Sequence, residues 1–329
     1  RYSSGYKIGS IIFTIDEVIS INRINFIFQN QDNIKINAYK WIPSGDIKGI
    51  VQISHGMNEH ILRYDYFAKE LNRHGYLVYG HDHRGHGKTA ANIDELGYIS
   101  DNDGFIDMVE DMRLMTDIIR EDNPDTDIIL FGHSMGSFLS QRYVQIYGDL
   151  IDGLILSGSN GRPVPVLGLG IILSKLAMKI KGRRAKIEFF DDLTFYGYNK
   201  RIKPLRTKFD WLSRDIDVVD KYIEDPYCGN LFTVSFFHDL YLGLRSIHIN
   251  DNMEGTPKNL PIYILAGEDD PVGYYGKGIV NLYNIYKDLG ILNLSYKLYE
   301  SGRHEMLNEI NKDEVIGDII TWLTNNIKN

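Results

Sequence analysis

The 329-residue sequence contains one cysteine, Cys228, which excludes a disulfide within the chain. It also lacks a run of about 18 apolar residues, the length that a membrane-spanning helix needs. No positive region followed by a long apolar stretch opens the sequence at Arg1, so no signal peptide is predicted. We therefore expect a protein that is soluble or peripheral to a membrane and lies in the cytoplasm.

Positive charge is in deficit, because 36 Lys and Arg stand against 44 Asp and Glu and give a net charge of −8. Nucleic-acid binding depends on clustered Lys and Arg that release counterions from phosphates. The composition therefore predicts no nucleic-acid partner. It leaves the oligomeric state open.

Short apolar runs alternate with amphipathic stretches along most of the chain. This order predicts the doubly wound α/β class, a mostly parallel sheet with helices on both faces. Several of the runs are continuously apolar, as buried parallel strands are. The predicted strands are 34–42, 49–54, 76–81, 127–131, 153–157, 261–266 and 294–299. The predicted helices are 64–74, 105–120, 135–147, 278–289 and 313–327.

The alternation stops between about residues 159 and 256, where helical patterns, aromatic residues and charges continue without a clear strand. We interpret part of this region as an inserted helical cap over residues 160–225. Residues 1–159 and 226–329 then form the α/β core. A helix within 230–249 is expected to return the chain to that core.

The segment Gly132-His133-Ser134-Met135-Gly136 follows a predicted strand directly and leads into a helix. A serine on such a sharp turn has a strained backbone that needs small neighbours, and the turn exposes its hydroxyl. The helix that begins there points free N–H groups at charge developing near the serine. Ser134 is therefore the candidate nucleophile.

A serine hydroxyl needs an adjacent base and a carboxylate that orients this base. In this fold the order along the chain is serine, acid, histidine. His304 follows the last predicted strand and is the candidate base. Asp270 follows the strand before it and is the candidate acid, because a proline ends the turn directly behind it; Asp269 and Glu268 are the alternatives.

The oxyanion hole is expected to combine two backbone N–H groups, one of them from a loop after an early strand. His55-Gly56-Met57 follows the predicted strand 49–54, and Gly56 allows a close backbone approach. We predict Met57 and Met135 as the two donors.

These residues stand in five ordered motifs, and the chain resembles the monoacylglycerol lipase and lysophospholipase branch of the α/β-hydrolases, which is related to serine aminopeptidases. The motifs are His55-Gly56-Met57 with Glu59-His60, Arg63-Tyr64, Asp82-x-Arg84-Gly85-His86-Gly87, Gly132-His133-Ser134-Met135-Gly136 and Arg303-His304-Glu305. The resemblance covers residues 33–160 and 259–327 and is poor in the cap.

The resemblance implies hydrolysis of a carboxylic ester through an acyl-enzyme. It places the nucleophile, acid and base at Ser134, Asp270 and His304, without a metal or other cofactor. A small lipid-like ester is the implied substrate, with a monoacylglycerol or lysophospholipid preferred over a short-chain ester.

Two further patterns resemble binding sites for ions or nucleotides. His81, His83 and His86 with Asp82 have the side chains of a zinc site, but a hydrogen-bonded loop is preferred because alternate residues of an extended chain point to opposite sides. The run 85–89 mimics a phosphate loop, but its first glycine position holds an aspartate. We therefore predict no bound metal, nucleotide or other cofactor.

A basic patch lies at the end of residues 164–186, which begin apolar. Its side chains are Lys175, Lys179, Lys181, Arg183, Arg184 and Lys186. Such a cap helix could rest weakly on anionic lipid, although charge runs more often form a solvated helix face.

Two other functions stay open at this point. A serine aminopeptidase would need a carboxylate in the cap to hold the substrate ammonium, and Glu188, Asp191 and Asp192 could provide it. A non-catalytic ligand-binding protein on the same fold would tolerate loss of the nucleophile, so an intact set of serine, aspartate and histidine disfavours it.

Overall fold

The computed structural model describes residues 12–13, 23–161 and 167–327, and within them nine strands form one sheet. The strands are β1 (Ile12–Phe13), β2 (Arg23–Gln29), β3 (Lys35–Trp41), β4 (Gly49–Ser54), β5 (Tyr76–His81), β6 (Ile128–His133), β7 (Gly153–Ser157), β8 (Ile262–Gly267) and β9 (Leu294–Tyr299). Their spatial order is β1-β2-β3-β5-β4-β6-β7-β8-β9. The pairs from β5 to β9 are parallel, whereas β1, β2 and β3 add an antiparallel edge.

The helices are α1 (Asp65–Arg73), α2 (Gly104–Asp122), α3 (Met135–Tyr147), α4 (Leu167–Lys181), α5 (Glu188–Thr194), α6 (Ile216–Glu224), α7 (Val234–Ser246), α8 (Asn250–Glu254), α9 (Lys277–Asp288) and α10 (Lys312–Asn326). Helices cover both faces of the sheet, and the predicted mostly parallel α/β class is confirmed. None of the helices in the described residues is long and apolar enough to cross a membrane.

Two hydrophobic cores form, one on each face of the sheet. In β6, Ile128 and Leu130 face the core that contains α2, α3 and α9, while Ile129 and Phe131 face the core that contains α1 and α10. All four side chains are fully buried. A strand covered on both faces is apolar at every position, which explains why β6 is a continuous apolar run.

The predicted strands and helices are present, and the ends of those in the core differ by at most two residues. The helix expected within 230–249 is α7. β2 was not predicted, although its sequence alternates: Phe26 and Phe28 are buried while their neighbours are partly or fully exposed. This is the pattern of a strand with one covered face.

The chain between β7 and β8 contains α4 to α8 and, among its described residues, no strand of the sheet. α4 packs on α7, and α7 packs on α2 and α3 of the core. An antiparallel bridge between Lys186 and Thr233 also joins the start of α7 to the segment after α4. The division into core and cap at residues 160 and 225 stays a prediction.

Candidate active site

The turn between β6 and α3 carries Ser134 in a strained conformation, with φ 51° and ψ −120°. The Ser134 N–H donates to the carbonyl oxygen of Ser157 at 2.9 Å, which fixes the turn against β7. A Cβ at Gly136 would lie 2.1 Å from the Ser54 carbonyl oxygen, and one at Gly132 would lie 2.5 Å from the Gly136 carbonyl oxygen. Both glycines are thus required for the close backbone packing that presents the serine.

The loops after β8 and β9 bring a carboxylate and an imidazole together. Nδ1 of His304 lies 3.0 Å from Oδ1 of Asp270, and both side chains are almost completely buried. The same carboxylate oxygen accepts a hydrogen bond from the Val272 N–H at 2.9 Å. Glu268 and Asp269, the alternative acids, are exposed. The structure therefore pairs His304 with Asp270 among the three candidates.

Opposing effects set the basicity of His304. Burial lowers the pKa of the imidazole, but the charge of Asp270 and its hydrogen bond to the ring raise it, as do the charges of Glu305 and Glu59. The net effect raises the pKa of His304 above its ordinary value of 6.5. A more basic imidazole is a stronger proton acceptor for a hydroxyl.

Ser134 and His304 line one cavity of about 660 Å³, and Met57 and Met135 line it with them. Asp270 lies behind His304 and does not line the cavity. Most of the remaining wall is aliphatic or aromatic. These wall residues include Phe138, Leu167, Leu193, Phe195, Tyr196, Tyr198, Phe209, Trp211, Leu212, Tyr222, Leu240, Tyr241, Leu244, Val272 and Tyr274.

The histidine loop is held by residues from the chain between β7 and β8. The ring of His304 contacts those of His133 and Trp211, with centroids 4.7 and 5.0 Å away. The backbone N–H groups of His304 and Glu305 donate to the carbonyl oxygens of Trp211 and Leu212 at 3.4 and 2.8 Å. The segment over the cavity therefore also positions the imidazole.

A buried ionic cluster joins the loop after β4 to the loop after β9. Arg63 donates to Glu59 at 2.6 Å and to both oxygens of Glu305 at 2.6 and 2.7 Å. Glu59 also accepts hydrogen bonds from the Gly56 N–H at 2.6 Å and the Tyr64 hydroxyl at 2.7 Å. This cluster holds the backbone next to Met57 beside the histidine loop.

No role was predicted for this cluster from the sequence. Glu59, Arg63 and Glu305 were noted as parts of motifs, but the contact between Arg63 and Glu305 joins residues far apart in the chain. The available signal was the spacing of Glu59 and Arg63, four residues apart, which allows an ion pair.

The histidine-rich segment 81–86 is buried, and its rings contact one another and the ring of His55. The Asp82 carboxylate accepts hydrogen bonds from the backbone N–H groups of Ile61 and Lys88. Nε2 of His55 accepts a hydrogen bond from the His83 N–H at 3.0 Å. Among the described residues, the two ring nitrogens of His81 have no hydrogen-bond partner. The expected loop network thus includes Asp82 but leaves His81 out.

Two of the three cap carboxylates considered for ammonium binding, Asp191 and Asp192, line the cavity, whereas Glu188 is exposed and does not. Burial raises the pKa of Asp191, and Lys208 at the same cavity opposes this rise. The apolar cavity therefore has an acidic part.

Comparison with known proteins relates this chain to one family and to lipases of similar sequence. The sequence profile of the family described as "Serine aminopeptidase, S33" matches residues 45–311. The chain is 24% identical over 315 residues to the monoacylglycerol lipase of Mycolicibacterium smegmatis, covering 94% of this chain and all of that protein. It is 27% identical over 303 residues to the monoglyceride lipase of Rattus norvegicus, covering 91% of this chain and 89% of that protein.

Among solved structures, a thermostable carboxyl esterase from Bacillus coagulans in complex with glycerol has the same fold. Its TM-score is 0.87 at 30% identity, over 93% of this chain and 99% of the esterase. With these relatives, the chain is a carboxylic ester hydrolase, and the resemblance seen in the motifs is confirmed. The chain belongs to the serine aminopeptidase S33 family of α/β-hydrolases, within its monoacylglycerol lipase branch.

Proposed function

We propose that this chain hydrolyses a lipid ester of the monoacylglycerol or lysophospholipid type through an acyl-enzyme on Ser134. The observation that carries the proposal is the convergence of a strained serine and an aspartate-bound imidazole at one cavity with a largely apolar wall. A hydroxyl, a base and an orienting carboxylate are the parts that acyl transfer needs.

In the first step, Oγ of Ser134 attacks the ester carbonyl carbon while Nε2 of His304 accepts the hydroxyl proton. The negative charge of Asp270 stabilises the imidazolium, and its hydrogen bond to Nδ1 fixes the ring. The carbonyl oxygen takes the electron pair as an oxyanion, for which the backbone N–H groups of Met57 and Met135 are the proposed donors. Collapse of this intermediate expels the alcohol, which takes its proton from His304.

In the second step, water attacks the acyl-enzyme while His304 accepts one of its protons. The tetrahedral intermediate forms in the same oxyanion hole and then releases Ser134, which recovers its proton from the imidazolium. The carboxylic acid leaves, and the side chains return to their starting protonation states.

The wall of the cavity supports an acyl chain as the part of the substrate that binds there. A volume of about 660 Å³ lies in the range of cavities that enclose drug-sized ligands. Two proteins of similar sequence are a monoacylglycerol lipase and a monoglyceride lipase. A short-chain carboxylic ester is the second substrate class that the site fits.

A serine aminopeptidase is the second candidate function. Asp191 and Asp192 at the cavity would attract a substrate ammonium, as such an enzyme requires. Lys208 at the same cavity works against a cationic substrate. Ester hydrolysis is therefore the preferred proposal.

We further propose that the cap rests on the surface of a lipid membrane through α4. Leu169, Ile172, Leu176 and Ile180 form an exposed stripe at helical spacing, and each is more than half exposed. The lysines of this helix provide attraction to anionic lipid. A cytoplasmic location is proposed on the single cysteine alone, because proteins of oxidising compartments commonly carry disulfides.

The proposed chemistry is tested with the purified protein and its Ser134→Ala variant. Both are assayed on p-nitrophenyl esters of graded chain length, a monoacylglycerol, a lysophospholipid and a panel of peptide amides. A fluorophosphonate probe reports the activated serine. We expect wild type to cleave esters and to be labelled, and the variant to lose both properties, with kcat lower by on the order of 10⁶-fold.

Ser44→Ala is the matched control, because Ser44 is an exposed serine outside the cavity. Labelling of Ser134→Ala at the wild-type rate would refute Ser134 as the nucleophile. Faster cleavage of peptide amides than of esters would favour the aminopeptidase instead. No reaction by a correctly folded wild type would leave the cavity a ligand-binding site.

A further inference from the structure

A set of metal-ligating side chains lies where the loop after β4 meets the chain after α6. His60, Asp225 and Cys228 each offer a ligand atom, and these atoms lie within 4.8 Å of one another. Imidazole, carboxylate and thiolate are the groups that bind zinc in proteins. We propose that these three side chains bind a thiophilic divalent cation of the zinc class, with water as the fourth ligand.

A tight turn fixes two of the ligands. The Cys228 N–H donates to the Asp225 carbonyl oxygen at 3.0 Å, so the two residues close one turn of the chain. Oδ1 of Asp225 accepts a hydrogen bond from the Tyr227 N–H at 2.8 Å, and its Oδ2 faces the ring of His60. Two ligands separated by two residues on a turn have the spacing of many zinc sites.

The third ligand is held against this turn by the backbone. The Gly229 N–H and the Tyr222 hydroxyl both donate to the Asn58 carbonyl oxygen, at 3.2 and 3.0 Å. Nε2 of His60 consequently lies 2.8 Å from Oδ2 of Asp225. An ion between these atoms requires the two side chains to move apart slightly, because each ligand atom lies about 2 Å from a bound zinc.

The surroundings favour a cation that is reached from solvent. Cys228 is buried, while His60 and Asp225 are partly exposed. Among the charges that act on the Cys228 sulfur, the Arg63 guanidinium has the largest effect, and the carboxylates of Asp225, Glu59 and Glu305 oppose it. When the ion binds, the Cys228 thiol loses its proton to solvent as the sulfur–metal bond forms, and the hydrogen bond between His60 and Asp225 is replaced by two coordinate bonds.

Cobalt provides a direct test, because Co²⁺ bound by a thiolate absorbs in the near ultraviolet and its visible bands report a tetrahedral site. The full chain is stripped with a chelator and titrated with Co²⁺, and Zn²⁺ is then added as a competitor. We expect one equivalent of Co²⁺ to produce both absorptions and Zn²⁺ to abolish them. Since Cys228 is the only cysteine, a sulfur band identifies this site.

Cys228→Ser is expected to lose the sulfur band. Asp225→Asn is expected to raise the Kd for Zn²⁺ by ~10- to 100-fold or more, because loss of a partner outside the ligand shell already has an effect of that size. His74→Gln, at an exposed histidine away from the cluster, is the matched control. Zn²⁺ should raise the Tm of wild type but not of Cys228→Ser, and Mg²⁺ should have no effect on either.

A Co²⁺ titration of wild type without a sulfur band would overturn the proposal. So would equal Zn²⁺ binding by Cys228→Ser and wild type. Circular dichroism of each metal-free variant establishes that it is folded, so loss of binding is not confused with unfolding. These readouts do not depend on ester hydrolysis and are independent of the proposed lipid substrate.

Discussion

Three consecutive carboxylates follow β8, and their surroundings differ. Glu268 and Asp269 face solvent, where charge is screened, whereas Asp270 is fully buried against His304. An ion pair in water-free surroundings acts on the pKa of its partner much more strongly than an exposed one. Burial thus distinguishes Asp270, the proposed acid, from Glu268 and Asp269.

Asp270→Asn is predicted to reduce kcat by about 10⁴-fold, because the amide neither stabilises the imidazolium nor holds the productive tautomer. The substitution should also move the acid limb of the pH–rate profile to lower pH. His304 accepts a proton only when neutral, and the charge of Asp270 contributes to the rise of its pKa. Without that charge, the opposing effect of burial is less balanced, and the pKa of His304 falls below its value in wild type.

The measurement is kcat/KM for a soluble p-nitrophenyl ester across the acid range, in wild type and variant. Asp269→Asn is the matched control and should behave as wild type, since Asp269 is exposed. A large loss of activity in Asp269→Asn with little in Asp270→Asn would reverse the assignment of the acid.

At the scale of elements, α4 presents apolar side chains to solvent on one face and buries small residues on the other. Gly170 and Ser174 are buried, and the Cβ that Gly170 lacks would lie 2.8 Å from the Tyr241 ring. Ile172 and Leu176 lie on the exposed face. None of the described residues covers this apolar face, so it is available to a lipid surface.

Replacement of Ile172 and Leu176 together by Asn is predicted to weaken binding to vesicles that contain anionic lipid by roughly 100-fold. Burial of these two side chains in the lipid surface contributes about 3 kcal/mol of apolar transfer free energy, which the variant loses. Vesicle sedimentation with neutral and anionic lipids measures the effect, and hydrolysis of a short soluble ester should be unchanged.

Lys175→Gln with Lys179→Gln is the companion variant, which should lose only the preference for anionic lipid. Wild type that binds neutral and anionic vesicles equally, or binds neither, would contradict the proposed membrane contact.

The parts of the fold that follow local rules could be predicted from the sequence. β6 and α3 are a continuous apolar run and a helical pattern joined by glycines, and both signals lie within a few residues. β2 was missed because it pairs antiparallel with β1 and β3, outside the alternation of strands and helices. The pairing of Asp270 with His304 was predicted from the order of residues in the fold, and the proline behind Asp270 favoured it over Asp269 and Glu268.

Long-range contacts in the site could not be predicted. Arg63 and Glu305 are brought together only when β4 and β9 take their places in one sheet, and Trp211 reaches His304 from the chain between β7 and β8. Nothing in either local sequence specifies its partner. Such contacts depend on the packing of the complete fold.

At the scale of the whole molecule, the ends of β4, β5 and β6 and the loops that follow them are rich in buried histidine. Burial lowers the pKa of His81 to about 3 and those of His86 and His133 to about 4, and it holds the pKa of His55 and His83 well below 6.5. These rings are therefore neutral in the folded protein. His55, His83 and His86 lie in the loops after β4 and β5, whereas His81 and His133 are the last residues of β5 and β6.

The folded protein is predicted to lose stability steeply as pH falls from about 6.5 toward 4. In the unfolded chain these histidines bind protons below their ordinary pKa, whereas in the folded chain their lowered pKa prevents it. Each such group lowers the free energy of unfolding by about 1.4 kcal/mol per pH unit in this window. Urea unfolding at a series of pH values measures the slope.

His81→Phe is predicted to reduce that slope by the contribution of one histidine, about 1.4 kcal/mol per pH unit. Among the described residues His81 has no hydrogen-bond partner at either ring nitrogen, so a phenyl ring loses no such bond and cannot be protonated. Its ring packs edge to face on Phe28 at 5.9 Å, an arrangement that a phenyl ring also favours. His74→Gln, at an exposed position, should keep the wild-type slope. An unchanged slope in His81→Phe, or a flat profile in wild type, would show that the buried histidines do not control acid stability.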